Sequence, residues 1–306
     1  LLRRLSEVSG VSGYEEQVRE TVRDLFNPYA DDVQTDTLGN VIALKRGCGP
    51  ETRPAAMIAT HMDEIGLIVS DLEGEFLRFQ EVGGFDDRVL LGQQVVVHGR
   101  TDLPGIIGTR PPHVLSMAER EKPIPQDKLV IDVGLTADQL AAAVCVGDLV
   151  TMHGELVELK GGLAAGKALD NRVSVAAAVI CLKELARIRH EWDIYAVATV
   201  QEEVGCKGAV VSTFGLEPDI GIVVDVTWAK QPGVSDEFTF ELGEGPAISC
   251  GPNFHPKLHQ ALIATAQALE IKCHVEALPR PGGTDAYVMQ VSREGIPTAQ
   301  VSIALR

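Results

Sequence analysis

IYAVATVQEEVG, residues 194–205, decides how this chain is read. Ile194 to Val200 is a continuous apolar run, the pattern of a strand buried on both faces, as in a parallel sheet. Two adjacent carboxylates, Glu202 and Glu203, follow it directly. An ionised Glu is seldom left beside buried surface without a partner. The pair is either a solvated turn or the seat of something cationic. Neighbouring residues of an extended chain also face opposite ways, so the two can share one role only if the backbone turns.

Working outward, the same strand texture recurs at AAMIAT (55–60), IGIVVDV (220–226) and TAQVSIAL (298–305). Helical spacing separates these runs. Val173, Ala177, Ile180, Cys181, Leu185 and Ile188 follow it from a helix that opens at 171, and a helix or turn follows through GCKGAVVSTF. Further helices are expected over 256–270 and 284–294, with a strand at 273–278. Residues 1–30 read as helix, with an amphipathic pattern through Val18, Val22 and Phe26 that Asn27-Pro28 stops. Alternating strand and helix predicts an α/β fold, a mostly parallel, mixed sheet sandwiched by helices. Between Leu67 and about Leu159 the texture changes. Short runs (LIVS, FLRFQEV, QQVVVHG, LVIDVG, DLVTMHG) alternate with Gly and Pro turns, and TADQLAAAV is the one expected helix. That pattern predicts an inserted small β-barrel domain. The expected organisation is a discontinuous catalytic unit, 1–65 plus 161–306, interrupted by a β-rich unit at 66–160.

Bulk properties narrow the function. The 306 residues carry 27 basic and 43 acidic side chains, a net charge of −16. This disfavours nucleic acid and anionic membrane as main partners. No apolar run reaches the roughly 18 residues of a membrane helix, and no signal peptide is visible. The six cysteines are scattered with no C-x-x-C, which fits a reducing, cytoplasmic compartment. The chain begins LLRR without Met and stops at SIALR, so both ends read as clipped.

The polar residues sit at strand ends. His61 and Asp63 follow the run 55–60, Glu202 and Glu203 follow 194–200, Asp225 lies near the end of 220–226, and Asp170 sits where the helix at 171 opens. Open parallel sheets bind ligands at the carboxyl ends of their strands. One His and several carboxylates are therefore expected at one edge, a donor set that suits zinc, cobalt or manganese. Other candidates are weaker. His255 and His259 in HPKLH are four apart but lack the Glu of H-E-x-x-H. GGLAAGK lacks phosphate-loop spacing, which argues against nucleotide binding. His98, His113, His153 and His190 read as surface or turn residues. PGGTDA reads first as a Gly-rich turn with Thr284 or Asp285 capping a helix.

THMDEIGL (60–67), GKALDNR (166–172), QEEVG (201–205), VVDVTWA (223–229) and PGGTDA (281–286), in this order, resemble the tetrahedral aminopeptidases, a family of dinuclear metallopeptidases. SGVSGYE near the start, with GFDDRVLLGQ and GTRPPHVLS in the insertion, extends the likeness over nearly the whole chain. The resemblance implies a phosphorylase/hydrolase-like catalytic domain. It also implies an inserted domain that builds dimers, which assemble into dodecameric tetrahedra. Two divalent metal ions, zinc or cobalt, are implied. His61 and Asp225 would hold one, Asp170 would bridge both, and Glu203 would hold the second. A further His ligand would lie two residues past Arg306. Asp63 would orient His61, and Glu202 would be the general base that takes a proton from the attacking water and passes it to the leaving amine. Thr284 and Asp285 would lie on the substrate side.

The expected activity is removal of N-terminal residues from short peptides. Two alternatives stand beside it. Some relatives carry endoglucanase-like names, but a glycosidase needs only two carboxyls about 5–9.5 Å apart and no metal, and so gives no reason for His61 and Asp225. A catalytically dead assembly subunit would account for the missing His.

Overall fold

The computed structural model describes residues 1–114, 116–117, 124–280 and 282–306, so Leu115 of GTRPPHVLS and Pro281 of PGGTDA fall outside it. The central sheet has eight strands: β1 (Asp32–Thr35), β2 (Val41–Lys45), β3 (Ala55–His61), β12 (Asp193–Thr199), β13 (Ile220–Trp228), β14 (Ala247–Cys250), β15 (His274–Ala277) and β16 (Thr298–Leu305). Their order is β1-β2-β12-β3-β13-β16-β14-β15. The four central strands β12, β3, β13 and β16 are parallel. Antiparallel pairs (β1–β2–β12 and β16–β14) flank them, which makes the sheet mixed as expected.

Side chains alternate across this sheet because strand residues point to opposite faces in turn. Val41 and Ala43, with Ala196 and Ala198, join Val18, Val22, Phe26, Val175 and Leu182 in one core. Those partners come from α2 (Glu16–Phe26) and α5 (Leu169–Leu185), and Leu5 of α1 (Leu2–Ser6) joins them. Ile42, Val197, Met57, Ala59 and Val223 face the other way and meet Ala209, Ala286 and Met289. That layer contains α6 (Lys207–Leu216) and α8 (Asp285–Met289), while α7 (Pro256–Ala268) packs on β14 and β16.

The insertion is a closed barrel. Its strands are β4 (Gly66–Glu73), β5 (Phe76–Val82), β6 (Gln94–His98), β7 (Asp102–Gly108), β8 (Val130–Asp132) and β9 (Leu149–Met152), joined in the order β4-β5-β8-β7-β6-β9. Closure leaves no open sheet edge, and a separate core of Leu67, Leu77, Val97, Ile107, Ile131 and Val150 fills it. The barrel carries α3 (Asp87–Leu90), which the sequence did not suggest, and α4 (Ala137–Ala143), closed by the Thr136–Gln139 capping box. An exposed hairpin, β10 (Val157–Leu159) with β11 (Leu163–Ala165), follows.

Three expectations need correction. Residues 1–30 are not one helix. Between α1 and α2 the chain is extended, because Gly10 O accepts from Glu64 N at 2.9 Å and Ser12 N donates to Glu64 O at 3.3 Å. The last helix spans 285–289 rather than 284–294: Met289 is buried, and Arg293 and Gly295 then take positive φ to turn the chain into β16. Asp170 and Asn171 have non-helical backbone, so the regular part of α5 begins after them.

Candidate active site

The carboxyl ends of β3, β12 and β13 and the start of α5 converge on His61. Its ring is 2% exposed, with Nε2 3.1 Å from Asp170 Oδ1, 3.9 Å from Asp225 Oδ1 and 4.0 Å from Glu202 Oε2. Its Nδ1 faces Asp63 Oδ1 at 3.4 Å. Among the described residues, His61, Asp170 and Asp225 form one group of donor atoms within 4.8 Å of one another, and His61, Glu202 and Glu203 form a second. Five positions singled out in the sequence thus meet in one place, and Asp63 stands directly behind them.

The two adjacent glutamates share the site because the chain turns. Gln201 takes a left-handed φ of 55° as it leaves the strand, a conformation uncommon for a non-glycine residue. The alternation of an extended chain is broken there, and both carboxylates reach the His61 group. Asp63, fully buried, holds the turn: Glu202 N donates to its Oδ1 at 3.1 Å, and Glu203 N donates to its Oδ2 at 3.2 Å. Ser12 Oγ donates to the same Oδ2 at 2.6 Å. Glu15 Oε1 accepts from Gln201 N at 3.2 Å and from Gly13 N at 2.7 Å. Sequence reasoning missed the parts of Ser12 and Glu15. The SGVSGYE stretch was the only signal that could have found them.

Electrostatics is that of a crowded anionic pocket. Burial pushes Glu202 up to about 9, with His61 opposing and Asp285, Asp225 and Glu203 adding to the rise. Glu203 and Asp225 are each raised to about 7, first by burial and then by neighbouring carboxylates, against the pull of His61. Burial pulls His61 down, but Asp170 and Asp63 outweigh it and hold the imidazole well above its ordinary value. Carboxylates packed this way need protons or a cation. One imidazole nitrogen with several carboxylate oxygens is a donor set that zinc, cobalt or manganese accepts, so the residues present fit a metal.

The remaining candidates separate clearly. Thr284 lines the cavity of about 370 Å³ that contains His61, Asp170, Glu202, Glu203 and Asp225. Its hydroxyl donates to Gln300 Oε1 at 2.8 Å and does not cap α8. Asp285 is buried, accepts from Thr199 Oγ1 at 2.6 Å and groups with Glu202 and Cys206. The buried Cys206 thiol lies 3.6 Å from Glu202 Oε1. His255 and His259 join none of the metal-competent groups among the described residues. His259 Nδ1 instead lies 3.1 Å from Ser249 O, and His98 lies between Asp102 and Thr151 on the barrel. Lys167 of GGLAAGK is tied to Glu64 at 2.7 and 2.8 Å, which explains that lysine without a phosphate.

A family model described as M42 glutamyl aminopeptidase matches residues 39–306. A lysyl aminopeptidase of Pyrococcus furiosus is 38% identical, over all of this chain and 88% of its own length. The crystal structure of a TET aminopeptidase from a marine sediment thaumarchaeon superposes with a TM-score of 0.91 at 32% identity, covering 98% of this chain and 86% of that one. The TET1 peptidase of Pyrococcus horikoshii, described as assembling into a tetrahedron or a large octahedral shell, superposes with a TM-score of 0.86 at 31% identity, covering 98% and 89%. Fold and matches together define a peptidase. More narrowly, the chain belongs to the M42 glutamyl aminopeptidase family.

Proposed function

We propose that this chain is a metal-dependent aminopeptidase that removes N-terminal residues from short peptides, with Glu202 as general base. One observation carries the reading: four chain segments bring His61 and four carboxylates into a single buried-edged cavity. A structural ion-pair network would not need so many like charges together. His61, Asp170 and Asp225 would hold one ion, and Asp170 and Glu203 the second, zinc or cobalt being suited to these donors. When bound, the metal pair would polarise the scissile carbonyl and acidify water. Glu202 takes up the proton released by the attacking water at its carboxylate and delivers it to the leaving amine. Asp63 fixes the His61 ring and the Glu202–Glu203 backbone. Thr284 borders the substrate, with Asp285 behind Glu202.

We take residues 66–160 as a unit for self-association inserted into a catalytic unit of 1–65 plus 161–306. Exposed Val157 and Leu159 on β10 give it an apolar face that a partner copy would cover. The shells described for the Pyrococcus horikoshii relative support a homo-oligomer, a dodecamer being the expectation. No helix of the described residues is long and apolar enough to cross a membrane. All six cysteines are free, which supports a reducing, cytoplasmic setting.

The test is hydrolysis of aminoacyl-p-nitroanilides and short peptides by protein stripped with chelator and refilled with zinc or cobalt. Metal-restored release of N-terminal residues is expected. Glu202→Gln should keep its metal by elemental analysis and lose about 10²–10⁴-fold in kcat. Normal turnover by that variant would remove Glu202 from its role. Chelator-insensitive sugar hydrolysis would overturn the peptidase reading, and metal binding without any turnover would favour an assembly subunit.

A further inference from the structure

A polar row leads away from the metal-ligand cluster along one face of the sheet. Asp225 and Thr227 are two residues apart on β13 and so share that face. Asp225 registers with Ser302 of β16, and Ser302 with Ala247 of β14. Ser249, two residues on, registers with Glu276 of the edge strand β15. The side chains close this row. Glu276 accepts the hydroxyls of Thr227, of Ser249 at 2.7 Å and of Ser302 at 3.3 Å. Three hydroxyl donors fix the direction of this carboxylate.

Glu276 also lines a cavity of about 740 Å³, together with Trp228, Phe240, Val275, Leu278 and Glu237. Trp228 borders both this cavity and the one containing His61 and Asp225. Along the strand, Thr227 lies only about 7 Å from Asp225, and Glu276 is bonded directly to it. A four-carbon stem ending in an ammonium group bridges a gap of that order. The lining suits such a group at both ends. Trp228, Phe240 and Leu278 offer apolar and aromatic surface to a stem, and rings with a carboxylate attract a cation. An acidic side chain would meet Glu276 and Glu237, and a purely aliphatic one would leave Glu276 without a countercharge.

We infer that this cavity receives the side chain of the substrate's N-terminal residue and that Glu276 selects a basic one, lysine or arginine. The inference rests on the aminopeptidase reading above. Arg306 is the opposing feature, since it borders the metal-ligand cavity, but its Nε is engaged by Lys230 O at 2.9 Å.

The experiment uses the metal-reloaded full chain with Lys-, Arg-, norleucyl- and Glu-p-nitroanilides. Norleucine carries the lysine stem without the ammonium. Lysine and arginine substrates should exceed norleucine at least tenfold in kcat/KM, mainly through KM. L-lysinamide should compete at least tenfold more tightly than L-norleucinamide, a comparison that needs no variant. Glu276→Gln, which keeps the shape and removes the charge, should cut the lysine-to-norleucine ratio about tenfold or more. Equal use of lysine and norleucine, preference for Glu, or an unchanged ratio in Glu276→Gln would overturn the inference while leaving the aminopeptidase intact. No cleavage of any substrate with either metal would instead remove the reading on which it rests.

Discussion

Asp63 does more than orient an imidazole. Its two oxygens face His61 and accept from Ser12 Oγ, Glu202 N and Glu203 N. An amide in its place offers one accepting oxygen and turns an NH₂ on donors that need an acceptor. Asp63→Asn should therefore weaken metal binding about 10–100-fold, the usual cost of losing the carboxylate behind a metal-binding His. Competition with a chromophoric chelator would measure this, and unchanged affinity would show that Asp63 does not support the centre. Glu64, next in the chain, has a different task. It is 5% exposed and pairs with Lys167, with the fully buried Arg172 guanidinium at 3.7 Å. Glu64→Gln would leave two buried cations without their anion. Breaking such a pair costs roughly 3–5 kcal/mol, which urea unfolding would read. A loss under 1 kcal/mol would mean that water reaches the cations.

At the scale of elements, the Glu202–Glu203 turn is held where a strand and a helix come unusually close. Gly208 N donates to Val200 O at 3.0 Å across the turn. Asn40 clamps the same junction, accepting from Val200 N and donating to Gly208 O, each at 3.0 Å. A Cβ on Gly208 would stand 2.3 Å from Asn40 Oδ1 and 2.5 Å from Val200 N and O. Backbone cannot yield as a side-chain tip can, so Gly208→Ala must push α6 away from β12. A cost of about 1–3 kcal/mol is expected for such overpacking, with a loss of activity larger than the loss of folded protein because the turn carrying Glu202 and Glu203 moves. A variant as stable and active as the parent would show that α6 is free to shift.

Across the whole molecule, the carboxyl ends of the central strands gather a centre of like charges. A bound cation relieves that repulsion in the folded chain alone, so metal should stabilise the fold. The gain is about 2.7 kcal/mol when free metal exceeds its Kd a hundredfold. Thermal melting should therefore fall in chelator and recover with zinc or cobalt. Identical melting in both conditions would mean that the acidic cavity holds no structural cation. Light scattering on the same samples would test the homo-oligomer, for which a persistent monomer is the contrary result.

Much of this was legible in the primary structure. Buried parallel strands read as unbroken apolar runs, which is why β3, β12 and β13 could be named and the polar residues at their ends gathered in advance. The barrel was legible because short strands between Gly and Pro turns have few other solutions. The contacts that organise the site were not. Ser12 meets Asp63 over 51 residues, Asn40 meets Val200 over 160, and Glu15 meets Gln201 over 186. Glu276 sits in a short edge strand with nothing local to mark it, and only its register against Ser249 brings it towards Asp225. The sequence by itself determined strand, helix, barrel and the chemical character of the centre, because hydrophobic period and residue type act over a few neighbours. Tertiary structure decided which distant hydroxyl, amide and carboxylate meet at that centre, because such pairings follow from strand order and packing and leave no mark on adjacent residues.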